Sequence, residues 1–490
     1  MIRMYNSKLE GYPVTNLLTL LLGMDEKSFR YTNDGIYENI EKFNRVFESF
    51  NIDAKVSRFI IGRSVIMYEV TPGPGVPVDK IISLENDIKL HFNLKSIRIT
   101  HSITGNAALG IEIPLQKRSP VSLPEVIDSD EFNNEPTELK IPIGKDILGR
   151  TIVATLDEMP HILIAGATGS GKTMFLNSII MSLIMKHTPY ELKFILIDPK
   201  MVEFEDYAGL PHLMADIATD MKKALCAINW AENEMQERYK KFQSAGAKDM
   251  ARYNTLSAEL GHEKLPYIVI IVDELSDLMA FGGKDCEALI SRLAAMSRAV
   301  GIYLILATSR PSPDVATDLI KANFSSRIAF QTASVVDSRT IIDQNGAESL
   351  LGSGDILFKT KNFPNFIRVQ GAYVSDAEIE RITQFITTHY NDEKWNRIYF
   401  ELKDLSEKNE ISENNEICDD DELLNEAMRI VVSSQQGSVA LLRRKLNICH
   451  HRAIKLMTLL EKKGVVGPSL GPNPRQVLID KIEMLKTDQI

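Results

Sequence analysis

Residues Gly166-Ala167-Thr168-Gly169-Ser170-Gly171-Lys172-Thr173 spell a complete phosphate-binding P-loop. No other stretch constrains the fold as tightly, because the motif works only between a strand and a helix. Both flanks fit. His161-Ile162-Leu163-Ile164-Ala165 is an apolar run suited to a buried strand, and Thr173 to Lys186 reads as a helix. The glycines let the backbone turn tightly, so that successive N–H groups face a phosphate. The start of the following helix adds partial positive charge. The expected ligand is ATP with Mg²⁺. Lys172 is placed to reach the β- and γ-phosphates, and the Thr173 hydroxyl to ligate Mg²⁺.

Hydrolysis needs a second element, and Tyr267-Ile268-Val269-Ile270-Ile271-Val272-Asp273-Glu274 has its form. A β-branched strand ends in two carboxylates. Asp273 is expected to hold the Mg²⁺ shell, and Glu274 to orient or deprotonate the attacking water.

Elsewhere the chain alternates strands and helices. Strands are expected at His161–Ala165, Phe194–Ile197, Ile268–Val272, Tyr303–Ala307 and Arg327–Gln331. Such alternation builds a doubly wound α/β sheet with its active edge at the strand C-termini. Before it, residues 36–139 read as a compact α+β domain. A helix is expected over Glu38–Phe50, a strand pair over Phe59–Val70 and a helix over Val78–Phe92, followed by strands at Ser96–Thr100 and Leu109–Ile113. Residues 1–35 are read as an N-terminal extension and 140–400 as the motor.

Charge separates the remainder. The net charge is −10, which argues against a protein that coats nucleic acid by electrostatics alone. Yet Glu401 to Glu422 holds ten acids and two lysines, whereas Leu423 to the end holds eleven Lys/Arg and five Asp/Glu. The acidic stretch, 401–421, reads as a linker, and 422–480 as a small basic domain with a tail at 481–490. Helices are expected at Glu422–Ser433, Ser438–Leu446 and Cys449–Lys463, with a hairpin from Val465 to Ile479. Three helices and a hairpin suggest a winged helix whose third helix enters the major groove of DNA. Arg443, Arg444, His451, Arg452 and Lys455 are the candidate DNA contacts. A protein-docking face is the alternative.

No run of 18 apolar residues exists, so no membrane span and no lipid contact are expected. Cys226, Cys286, Cys418 and Cys449 are scattered without CxxC spacing, which favours reduced thiols, no zinc site and a cytoplasmic location.

From Tyr37 to Ile479 the chain resembles the FtsK/SpoIIIE DNA translocases. The resemblance is carried by the P-loop, Ile197-Asp198-Pro199-Lys200-Met201, Gly209-Leu210-Pro211-His212-Leu213 and Asp273-Glu274-Leu275-Ser276-Asp277-Leu278-Met279. Further on come Ala307-Thr308-Ser309-Arg310-Pro311-Ser312, Leu319–Asn323, Asp337–Ile341 and Gly346–Gly352. It implies an α domain, a RecA-like P-loop motor and a γ winged helix. It further implies a homo-hexameric ring around double-stranded DNA, with nucleotide sites between subunits. By similarity, Arg298 is the arginine-finger candidate, ahead of Arg327 and Arg339.

Three positions depart from the family pattern. Ser309 stands where members usually carry Gln, Val335 where many carry Lys, and His451 in place of Asn in an Asn-Arg-Ala run. The resulting expectation is ATP-driven movement along duplex DNA, in chromosome segregation or DNA transfer. A secretion- or conjugation-type motor of the same superfamily is the rival, and a regulator that uses ATP only to assemble is a second. A membrane-bound or recombinase partner stays open.

Overall fold

Apolar residues at helical spacing start the first domain: Ile36, Phe43 and Phe47 line one face of helix α1 (Asn33–Ser49). The computed structural model describes residues 33–101, 107–133, 139–261, 263–360, 363, 365–389, 423–434, 436–446, 453, 456, 457, 459–461, 463–467 and 475–478, together with Leu21. The α1 face packs on an antiparallel sheet, with the Phe43 ring 5.2 Å from Tyr68 and 4.6 Å from Phe92. The sheet comprises β1 (Ala54–Ile61) and β2 (Val65–Pro72), then, after α2 (Val78–Ser83) and α3 (Glu85–His91), β3 (Arg98–His101) and β4 (Leu109–Pro114). Its order is β1-β2-β4-β3. The single helix expected over Val78–Phe92 is two, meeting at Leu84, whose ψ of 4° leaves the helical range.

The next segment, β5 (Val121–Ser122), α4 (Leu123–Ile127) and α5 (Asp130–Asn133), joins the motor instead. Val121, Leu123, Val126, Ile127 and Phe132 enter the motor's core, and β5 pairs with one of its strands. Apolar burial thus changes sides near residue 121, earlier than residue 139, where the first domain was expected to end.

The motor sheet then takes up β6 (Lys140–Asp146), β7 (Thr151–Thr155) and β8 (His161–Ala165). The chain continues through α6 (Lys172–Lys186), β9 (Leu192–Ile197), α7 (Met221–Ala245) and α8 (Met250–Glu259). Next come β10 (Tyr267–Val272), α9 (Leu275–Met296), β11 (Ile302–Thr308), α10 (Asp318–Asn323) and β12 (Ser326–Ala329). The unit closes with α11 (Val335–Ile342), β13 (Asp355–Lys359), β14 (Ile367–Tyr373) and α12 (Asp376–His389). Strand order is β7-β6-β14-β13-β12-β8-β11-β10-β9. The five strands from β12 to β9 are mutually parallel, and the others extend the sheet antiparallel.

Alternation explains why the parallel strands read as unbroken apolar runs. Ile162, Ile164, Phe194 and Leu196 face a core layer shared with α6. Leu163, Ile195 and Ile197 face the opposite layer, shared with α7 and α9. Both faces are covered, so a buried polar group there needs a partner, as when Lys193 on β9 donates from Nζ to Pro211 O at 2.6 Å. The P-loop follows β8, where connections leave the sheet in both directions, the position at which open α/β sheets bind ligands.

Residues 406–490 form a second compact unit. It contains α13 (Leu424–Ser434) and α14 (Val439–Leu446). Residues 453, 456, 457 and 459–461 are helical, and antiparallel bridges join Gly437 to Arg475 and Val466 to Val477. Ala427, Val431, Leu442, Ala453, Leu456 and Leu460 make its core. Arg443 and Arg444 lie on α14, and His451, Arg452 and Lys455 lie outside the described residues.

Candidate nucleotide site

The P-loop is held from three sides. Its own strand exit is fixed by Gly166 N–H donating to Thr308 O (3.3 Å) and Ala167 N–H to Gln331 O (2.7 Å). From the third side, Gly354 N–H donates to Ser170 O at 2.9 Å. That approach requires a glycine: Gly171 has φ +110°, and a Cβ there would sit 2.6 Å from Gly354 N. Gly171 caps α6, so the helix N-terminus opens directly into the loop. Lys172 Nζ folds back to Gly166 O (2.6 Å) and Ala167 O (3.0 Å). Burial lowers its pKa, and the nearby Glu274 and Asp273 oppose that shift. Thr168 and Gly169 are exposed, Ser170 is buried, and Thr173 is half-buried at the mouth.

Asp273 and Glu274 leave the end of β10 with only 5% and 3% exposure. Burial pushes the Asp273 carboxyl up to about 6, with Lys200 opposing and Glu203, Asp198 and Glu274 adding to the rise. Asp273 and the Thr173 hydroxyl offer oxygen donors at this edge, with the Lys200 ammonium 3.8 Å from the Asp273 carboxylate. That donor chemistry fits Mg²⁺, which takes one or two carboxylates and completes its shell with water and substrate phosphates.

Glu274 is treated differently. Its Oε1 accepts from Thr308 Oγ1 (2.7 Å), Ser276 Oγ (2.8 Å) and Ser309 N–H (3.0 Å). Its Oε2 accepts from Lys200 Nζ at 3.0 Å and from the Ser309 hydroxyl. Burial raises the Glu274 carboxyl, but the bonds from Ser309, Thr308, Lys200 and Ser276 overcome it and hold the pKa at about 2.

Lys200 and its neighbours were not singled out as site residues from sequence. Lys200 sits on a turn after β9 that Asp198 organises: the Asp198 carboxylate accepts N–H bonds from Lys200, Val202, Glu203 and Phe204. The ammonium also lies 3.8 Å from Asp273. A usable signal existed. Asp-Pro-Lys directly after an apolar strand puts charge at the C-terminal edge of the sheet, where α/β sites form.

The three arginine candidates differ sharply. Arg327 is occupied by Asp343 and the Ile341 and Lys321 carbonyls. Arg339 bonds to Asn345 at 2.7 Å. Arg298 is exposed and has no partner among the described residues. It precedes β11, and its charge is felt by His161 at the start of β8. The seven residues of β11 separate it from Thr308 at the Glu274 end, roughly 20 Å of extended chain. The structure therefore brings Lys172, Thr173, Asp273 and Glu274 to one edge of the sheet and leaves Arg298 at the other.

Cys226 and Cys286 are buried, and burial pushes the Cys286 thiol up to about 12. Cys418 and Cys449 lie outside the described residues. No helix among the described residues is long and apolar enough to cross a membrane.

Known proteins match along the whole layout. The FtsK/SpoIIIE family model matches residues 122–313, the FtsK alpha domain 15–115 and the FtsK gamma domain 418–480. DNA translocase FtsK of Clostridium tetani is 44% identical over 94% of this chain and 62% of its own length. DNA translocase SpoIIIE of Bacillus subtilis is 44% identical over 91% of this chain and 56% of its own. The chain thus spans about three-fifths of the length of these curated relatives. Among solved structures, the pCW3 conjugation coupling protein TcpA, in monomer form with ATPgS, aligns with TM-score 0.50 and 23% identity. That alignment covers 71% of this chain and 99% of TcpA, and it supports the motor fold. A P-loop edge of this geometry, an N-terminal domain and a C-terminal unit, each matched by its own part of one family, place the chain in the FtsK/SpoIIIE family.

Proposed function

We propose that this chain is the ATP-hydrolysing engine of a double-stranded DNA translocase that works as a homo-hexameric ring. The observation that carries the reading is the split of the site. Lys172, Thr173, Asp273 and Glu274 share one sheet edge, whereas the unpaired Arg298 stands at the opposite edge and cannot reach its own P-loop. A second copy must supply it, so the complete site forms between neighbours.

The P-loop N–H groups and the α6 N-terminus receive the phosphates, and Lys172 exchanges its carbonyl partners for phosphate oxygens. Thr173 and Asp273 would hold Mg²⁺, which neutralises phosphate charge when bound. Glu274 accepts a proton from the water whose oxygen attacks the γ-phosphorus. The bond from that phosphorus to the β–γ bridging oxygen breaks, and ADP and phosphate leave. A carboxylate with a pKa of about 2 is a weak base. Glu274 must therefore shed some of its donors before it acts, and this gives the ring a resting state. Arg298 of a neighbouring copy stabilises the charge that develops on the transferred group. The basic domain over residues 422–480, with Arg443, Arg444, His451, Arg452 and Lys455, contacts DNA for loading or orientation, while the motor tracks phosphates irrespective of sequence.

Displacement of a triplex-forming strand from linear duplex DNA tests this directly. The expected result is ATP-dependent displacement that Lys172→Ala abolishes. ATP hydrolysis without displacement, unchanged by DNA, would replace duplex translocation with a motor that moves a protein substrate.

A further inference from the structure

The turn that carries Arg298 is gripped on both sides by consecutive residues of one helix. Arg298 belongs to a short 3-10 turn, Ser297–Val300, between α9 and β11. On the near side, Tyr239 Oη donates to Met296 O at 2.6 Å. On the far side, Arg238 donates from a terminal guanidinium nitrogen to Val300 O at 2.9 Å. Arg238 and Tyr239 both lie on α7. Inside the turn, Ser297 Oγ bonds to Ile302 O at 2.8 Å, and Gly301 closes it at φ +72°. There is no slack behind it. A Cβ at Gly301 would meet Met250 and Tyr267 side-chain atoms at 2.9 Å.

Arg238 is an expensive residue for this position. It is fully buried, and its carboxylate partner is Glu234, bonded to its Nε at 2.8 Å. An apolar side chain of similar volume would fill the space without desolvating a guanidinium. What an apolar side chain cannot do is hold the Val300 carbonyl. The exposed Arg298 side chain, by contrast, has no partner among the described residues. The main chain is thus immobilised on each side of a guanidinium that is left unused.

We propose that Arg238 and Tyr239 are positioning residues for Arg298, fixing its backbone so that the guanidinium reaches the nucleotide held by a neighbouring copy. This rests on the reading that Arg298 acts in trans. A preorganised donor costs little reordering when charge develops, and displacement of about an ångström at such a group is enough to slow a reaction severely.

The test measures DNA-stimulated ATP hydrolysis by the full chain, with kcat and KM separated, for Tyr239→Phe, Arg238→Lys, Arg238→Met, Arg298→Ala and the double variant Tyr239→Phe/Arg298→Ala. Arg298→Ala should lower kcat by about a thousandfold. Tyr239→Phe removes one hydroxyl and should lower kcat about five- to tenfold with KM for ATP within about twofold. Arg238→Lys keeps a donor for Val300 O and should lose less than Arg238→Met. The double variant should be no slower than Arg298→Ala alone, because the hydroxyl acts only through the arginine. Full activity in Arg298→Ala overturns the trans reading itself. A slow Arg298→Ala beside a Tyr239→Phe of full kcat, or of multiplying effect in the double variant, overturns the positioning role alone. Thermal melting of each variant separates a lost fold from a lost alignment.

Discussion

Arg368→Met should be among the most destabilising single changes in the motor, and it should weaken nucleotide binding from a distance. Arg368 lies on β14 with its guanidinium between two buried carboxylates, each at most 1% exposed. Asp355, at the start of β13, takes it in a bidentate pair (2.9 and 2.5 Å). Glu112, on β4 of the N-terminal domain, takes the remaining nitrogen. The same Asp355 accepts the Leu351 N–H at 2.8 Å, and Gly354, the residue just before Asp355, donates to Ser170 O in the P-loop. The Leu351 and Gly352 carbonyls also receive Arg118 from the N-terminal side. One buried arginine therefore joins the first domain, the second sheet and the phosphate loop.

Methionine fills similar volume but leaves both acids unbalanced. Glu112 keeps Arg98, 3.1 Å away, so most of the penalty falls on Asp355. Removing one partner of a buried pair costs about 3–5 kcal/mol, a large share of the roughly 5–15 kcal/mol that holds a domain folded. Urea unfolding followed by circular dichroism should show a midpoint lowered accordingly, and a fluorescent ATP analogue should bind about tenfold more weakly if the loop follows Asp355. The asymmetry gives a sharper check. Adding Asp355→Asn to Arg368→Met should recover part of the lost stability, because it removes the stranded charge. A change under about 1 kcal/mol in the single variant, or further loss in the double, would refute the claim that this triad holds the domains together.

Three more outcomes follow from the site and the core. Lys172→Ala should lose nucleotide binding, whereas Glu274→Ala should bind ATP and retain it unhydrolysed, as filter binding and single-turnover assays would reveal. Ser309→Ala removes one of the donors that keep Glu274 near 2, so the acid limb of kcat/KM should move up by about one to two pH units, and an unmoved limb would show that Glu274 is not the base. His161 and His212 are both held near 3 by burial, below the unfolded value of 6.5. Their depressed values make the native state bind fewer protons, so stability is intact above pH 6.5 and falls as pH drops toward 3. At pH 5 each site costs about 2 kcal/mol, and a urea midpoint unchanged between pH 7.5 and 5 would contradict it.

What could be read from sequence depended on how far each residue's partner lies along the chain. The P-loop was legible because its chemistry is local: strand, glycines, lysine and helix occupy consecutive positions, and the two phosphate-facing features need no distant partner. The parallel strands were legible because burial on both faces forces an apolar run, as in Ile268–Val272. The antiparallel strands β6, β13 and β14 were not, since they carry Lys140, Asp146, Asp355, Arg368 and Gln370 as buried polar residues. Arg368 and Gln370 are satisfied by remote partners: Glu112 is 256 positions away from Arg368, and Ser64 is 306 away from Gln370. Lys200 was named only inside a family motif, and its role at the site was not legible for the same reason, because the carboxylate it serves is 74 positions downstream. Arg298 shows the converse. In sequence it is one arginine among many, and only family resemblance ranked it first. In the structure its rivals Arg327 and Arg339 are consumed by their own neighbours, while Arg298 is left unpaired on an immobilised turn at the edge its own nucleotide cannot occupy. That contrast with Arg327 and Arg339, together with the buried Arg238 behind the turn, is what supports the proposed role of Arg298 toward a neighbouring copy.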